Sequence, residues 1–80
     1  NVYFCYDTGH DLIDNSDYEQ IFDKIKIIHF SDNNGKEDLH IGYTKGILDS
    51  SIFEKIENVN PDYLILEINF DDIENTLRYF

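Results

Sequence analysis

The sequence predicts an α/β fold of parallel strands, amounting to about three βα units of a (β/α)8 barrel, and three observations carry that reading. Three short runs, Val2–Tyr6, Ile25–Phe30 and Tyr63–Ile68, are almost continuously apolar. That is the pattern of parallel strands buried on both faces. Each run closes on an acidic or imidazole group: Asp7, His29 and Glu67. Parallel α/β proteins build their sites at the C-terminal ends of strands, and core packing does not explain the regularity. Finally, 22 residues separate Asp7 from His29 and 38 separate His29 from Glu67. Their average is close to the ~31 residues per unit of a barrel of roughly 250 residues.

Residues 1–6 form the first strand, expected in the sheet interior. Asp7-Thr8-Gly9-His10 follows, with an aspartate and a histidine three residues apart across a glycine turn, so that both side chains can enter one cavity. Ser16 and Glu19 have capping-box spacing, and Tyr18, Ile21 and Phe22 supply helical periodicity up to about Lys24. Ile25–Phe30 is the second strand. It opens into the polar loop Ser31-Asp32-Asn33-Asn34-Gly35-Lys36-Glu37, in which Asn-Gly favours a turn, and Asp32 and Lys36 read as loop surface. Asp49, Ser50 and Ser51 compete to cap a helix through Ile52, Phe53, Ile56 and Val59, which Asn60-Pro61 ends. The third strand, Tyr63–Ile68, precedes a last helix with Asp71, Asp72 and Glu74 at its positive dipole end and Arg78 at its negative end. Right-handed crossovers make the three strands parallel. The tyrosines and phenylalanines read as core.

At 80 residues, with one cysteine, one proline and no tryptophan, the chain is short for this architecture. A domain of this size buries only ~60% of its unfolded surface. The first residues already read as strand, with no signal peptide or stretch of transmembrane length before them. The expectation is one domain, residues 1–80, that is a fragment of a longer barrel. A formal net charge of -11, from 6 basic and 17 acidic residues, repels phosphate backbones and disfavours nucleic acid as a partner. The lone Cys5 inside an apolar strand argues against a disulfide framework and for a reducing compartment, with the cytoplasm as the default.

Each of the three histidines lies near a carboxylate: His10 after Asp7, His29 at a strand end, and His40 in Asp38-Leu39-His40. Asp38 and His40 leave an extended segment on the same side. Glu67 follows four apolar residues, where burying an unpaired carboxylate is costly unless a cation or donors meet it. A divalent metal is the simplest partner. Mixed imidazole and carboxylate ligands suit Mn²⁺, Zn²⁺ or Co²⁺ without selecting one. Such a site polarises a substrate oxygen or activates a water.

Asp7-Thr8-Gly9-His10, Ile28-His29-Phe30-Ser31-Asp32-Asn33-Asn34-Gly35-Lys36, Asp38-Leu39-His40-Ile41-Gly42 and Leu66-Glu67-Ile68-Asn69 together resemble the C-terminal part of the xylose-isomerase-like barrels. That superfamily holds the sugar phosphate isomerases/epimerases and endonuclease IV. The resemblance spans nearly the whole chain in the right order. To the isomerase/epimerase branch it implies Asp7, His29 and Glu67 as three of four metal ligands, the fourth being a glutamate on a preceding strand outside this chain. His10 would bind a substrate hydroxyl or carbonyl, and Asp38 and His40 would line the site. Glu67 would also be one of two acid/base carboxylates that move a proton next to a carbonyl, through a metal-stabilised enediolate.

Resemblance to endonuclease IV implies instead a zinc cluster held by Asp7, His10, His29, Asp38, His40 and Glu67, hydrolysing abasic DNA. Against it stand Gly9 where that branch usually has cysteine, Leu39 where it usually has arginine, the acidic surface, and the loop 32–36. This chain also departs from the usual Gly-Glu-Gly after Asp-x-His, with Gly42-Tyr43-Thr44-Lys45-Gly46, one residue longer and without the acid. A frequent substrate-binding arginine after His29 is missing, leaving Lys36 and Lys45 as the nearby basic groups, which counts against a phosphorylated substrate. A third expectation is an incomplete, non-catalytic barrel piece, whose open strand edges pair with a missing N-terminal half or with another copy.

Overall fold

A computed structural model describes residues 2–15 and 17–80. Strand β1 spans Phe4–Asp7, helix α1 Thr8–Asp14, a 3-10 helix Glu19–Lys24, β2 Ile25–Phe30, α2 Ser51–Val59, β3 Tyr63–Leu66, and a 3-10 turn at Phe70–Asp72 leads into α3, Ile73–Leu77. The strands form one parallel sheet in the order β1-β2-β3. Parallel pairing with helical crossovers is the expected βα arrangement.

Register sorts the side chains. Cys5 pairs with Ile27 and Ile27 with Tyr63, while Asp7 pairs with His29 and His29 with Ile65. With a period of two, all of these share one face. The other face carries Tyr6, Ile28, Phe30, Leu64 and Leu66, over which the helices lie. Tyr6, Ile25, Ile28, Phe30 and Ile52 are buried, flanked by Tyr18, Phe22, Leu48, Phe53 and Ile56. Helices therefore cover only one side of the sheet. The side that a closed barrel would enclose is open, with Tyr63 67% and Ile65 44% exposed.

That one-sidedness corrects several expectations. β1 is an edge strand, not an interior one, and Phe4 and Cys5 are exposed. Tyr3 and Phe70 also lie at the surface, not in the core. Asp7-Thr8-Gly9-His10 is not a glycine turn but the start of α1. The Asp7 side chain caps that helix by accepting the His10 backbone N–H at 2.9 Å. Ser16 of the expected capping box lies outside the described residues. The segment after it is a 3-10 helix rather than an α-helix, interrupted at Ile21 (φ -122°), and its first turn is held by Asp17, which accepts the Glu19 N–H. Of the three candidate caps of α2, Asp49 makes the bond, accepting the Ser51 N–H at 2.9 Å. α2 ends on Asn60 in the left-handed conformation, its N–H reaching the Ile56 carbonyl, a capping position that asparagine fills after glycine. β3 stops at Leu66, two residues short of the expected end, although the Glu67 N–H still reaches the Phe30 carbonyl at 3.0 Å.

Candidate metal centre at the strand ends

Asp7 is the last residue of β1, His29 the last but one of β2, and Glu67 immediately follows β3. Adjacent parallel strands thus deliver three ligand-type side chains to one end of the sheet. His29 Nδ1 lies 2.6 Å from Glu67 Oε1 and 3.9 Å from Asp7 Oδ2. One donor atom of each residue lies within 4.8 Å of the other two, and among the described residues no other group of three does this. Two carboxylates crowd one imidazole, all three only partly buried. An oxygen-rich donor set with one nitrogen fits a divalent cation of the Mn²⁺, Zn²⁺ or Co²⁺ class.

A second cluster adjoins it. Asp38 Oδ2 lies 3.2 Å from His10 Nε2 and 3.2 Å from His40 Nε2, so one carboxylate oxygen serves two imidazoles. His10 also reaches back, its Nδ1 3.7 Å from Asp7 Oδ2. His40 Nδ1 donates to the Glu67 carbonyl at 2.9 Å. That bond, helped by the Asp38 charge and opposed by partial burial, raises the His40 pKa above the ordinary histidine value. The expected extended geometry at Asp38-Leu39-His40 is not found. His40 is left-handed (φ 51°), and the two side chains meet because the backbone turns.

The loop between β2 and α2 holds the residues that sequence reasoning missed. Asp32 is fully buried, not loop surface. Its carboxylate accepts the N–H groups of Asn33 (2.8 Å), Leu48 (2.9 Å) and Gly46 (3.0 Å), and its backbone pairs with Ile41. Asn33 donates to the Gly9 carbonyl at 2.9 Å and accepts the Gly35 N–H, and Gly35 has φ 82°, the turn that Asn-Gly announces. Thr8 Oγ1 donates to the Ser31 carbonyl and accepts the Ser31 N–H, tying α1 to the end of β2. The signal in the sequence was Gly46. A Cβ there would lie 2.2 Å from the Asn33 carbonyl oxygen and 2.4 Å from Asp32 Oδ1, a close approach only glycine permits.

The longer loop at 42–46 is docked on α3. Asp72, almost fully buried, accepts the Gly42 N–H at 2.9 Å and pairs with the Lys45 ammonium, while Thr76 Oγ1 accepts the Tyr43 N–H. The Lys45 bond, seconded by the Gly42 N–H, holds the Asp72 carboxyl below the usual carboxylate range. Lys45 is thereby committed to Asp72, and Lys36 is exposed. A groove of about 420 Å³ lined by Phe70, Ile73, Glu74 and Leu77 shares no residue with the carboxylate–imidazole group. The donor chemistry, not the concavity, marks the site.

No family model and no curated protein matches the sequence. Among solved structures, the crystal structure of a D-tagatose 3-epimerase-like protein superposes with a TM-score of 0.77 at 23% identity, over 98% of this chain and 33% of the other. The chain has the fold of part of that TIM-barrel protein. It spans about a third of that neighbour's length, and the likeness is one of fold. The three parallel strands are thus a partial βα portion of the barrel, and Asp7, His29 and Glu67 stand at the strand ends where barrels place their sites. No helix among the described residues is long and apolar enough to cross a membrane.

Proposed function

We propose that this chain forms the metal-holding part of a sugar isomerase/epimerase-like barrel that moves a proton at the carbon next to a carbonyl. The observation that carries the reading is the convergence of Asp7, His29 and Glu67 from three neighbouring strand ends. In this reading the three are metal ligands, joined by a fourth carboxylate from outside the chain. Asp7, His29 and Glu67 would hold a divalent ion, which when bound would supply Lewis-acid polarisation of a substrate carbonyl.

The chain's own residues then divide the work. Glu67 takes the proton from the carbon beside the carbonyl, its other side steadied by His29 at 2.6 Å. A second carboxylate, from the remainder of the barrel, returns a proton. His10, more than half exposed, offers an imidazole N–H to a hydroxyl or carbonyl of the substrate. Asp38 and His40 line the same end of the sheet, Asp38 orienting both rings. Engagement of Lys45 by Asp72 favours an unphosphorylated polyhydroxy carbonyl compound over a sugar phosphate. Further βα units, or a second copy, cover the open face and the edges of β1 and β3, and these 80 residues alone are inactive.

Elemental analysis of the purified chain after equilibration with Mn²⁺ or Zn²⁺ tests the reading. One equivalent is expected in wild type, at most one and more weakly held in His40→Ala, and none in Glu67→Ala. Two or three equivalents that depend on His40, or metal retained in Glu67→Ala, would overturn it.

A further inference from the structure

The ladder between β2 and β3 closes at Phe30↔Leu66, and past that point the Glu67 carbonyl has no strand partner. His40 takes that place. Its Nδ1 donates to the Glu67 carbonyl at 2.9 Å, and its own carbonyl accepts the Asn69 N–H at 3.0 Å. Two hydrogen bonds in opposite senses therefore clasp residues 67–69 from a loop 27 residues earlier in the chain. His40 makes them in a left-handed backbone conformation (φ 51°), which costs more free energy in histidine than in glycine or asparagine and persists where its surroundings impose it. Those surroundings are present: Ile41 next to it is bridged to the buried Asp32, and Asp38 fixes the far side of the ring.

We infer that His40 is a positioning residue for Glu67: a brace that extends the sheet by one strand-like contact and holds the Glu67 carboxylate against His29. The inference rests on the proposed role of Glu67 but goes beyond it, because it assigns His40 to the protein's own backbone rather than to substrate. A ring bonded to Glu67 on one nitrogen and facing Asp38 on the other has no nitrogen left for a ligand. The strained backbone gives the device a signature. Replacing His40 by glycine or asparagine, both at ease at positive φ, removes the brace while relieving the strain, so fold stability and site geometry change in opposite directions.

The test uses the whole 80-residue chain, metal-free, with His40→Gly and His40→Asn beside wild type. Long-range ¹H–¹⁵N spectra of the imidazoles report whether His29 keeps the Nδ1–H form that Glu67 Oε1 accepts. Zn²⁺ titration calorimetry reports affinity, and thermal melting reports the fold. The expected result is a His29 that loses its fixed Nδ1–H form and Zn²⁺ affinity weaker by about tenfold or more, with an unchanged or raised melting midpoint. An unchanged His29 spectrum overturns the inference, as does a variant that fails to fold, since His40 would then be a determinant of the fold itself. Failure of the metal reading looks different: wild type shows the His29–Glu67 signature but binds no Zn²⁺, and the brace is then judged by the spectra alone.

Discussion

Asp32 shows how much a single buried carboxylate organises. It receives three backbone N–H groups within 3.0 Å, so Asp32→Asn turns an amide donor toward donors. We expect a loss of about 1–3 kcal/mol, read by urea unfolding. Thr44 adjoins the same device: its φ of 82° is unfavourable for a β-branched residue, and Thr44→Gly should stabilise the fold by about 1 kcal/mol in the same assay. Asp72 sets a pH dependence. Its carboxyl is held below the ordinary value of 3.8 by Lys45 and Gly42, so the stability it contributes is present above that pH and is lost as pH falls through the lower, folded-state value. Asp72→Asn should therefore be less stable at neutral pH, yet lose less stability on acidification, as followed by circular dichroism. Neither carboxylate was legible as a hub, because the partners that give each its role lie 14 to 30 positions away: Gly46 and Leu48 for Asp32, Lys45 and Gly42 for Asp72. Asp7, His29 and Glu67 were legible because strand periodicity and a terminal polar group are local signals.

Elements with strong local patterning match their sequence expectations: β2 exactly spans the β-branched run at 25–30, and α2 runs from the Asp49–Ser51 cap cluster to Asn60-Pro61. α1 was hidden by its own composition. Threonine and glycine at its first two positions are poor helix formers, and the helix stands on the Asp7 cap and the Thr8–Ser31 bonds instead. The chain's last residues depend on aromatic packing that periodicity does not reveal. Phe80 meets Phe30 at 5.1 Å and Phe53 at 5.2 Å between ring centroids, and Tyr79 meets Tyr43 at 4.7 Å. Phe80 is half exposed, so Phe80→Ala should cost about 1–2 kcal/mol rather than the full value of a buried ring, again by urea unfolding.

For the molecule as a whole, parallel order and barrel class followed from spacing, whereas the open face did not. Apolar runs that look buried on both sides encode a closed barrel, and in these 80 residues only the helix-covered side is filled. The uncovered face should drive concentration-dependent self-association in sedimentation velocity, and Tyr63→Lys, at its most exposed apolar position, should weaken it. The central claim is that three neighbouring strand ends hold one divalent ion. Anomalous diffraction at the zinc edge from Zn²⁺-equilibrated crystals tests it most directly. A single peak is expected about 2.0–2.2 Å from donor atoms of Asp7, His29 and Glu67; no peak there, or additional peaks coordinated by His10, Asp38 and His40, would contradict a one-ion site.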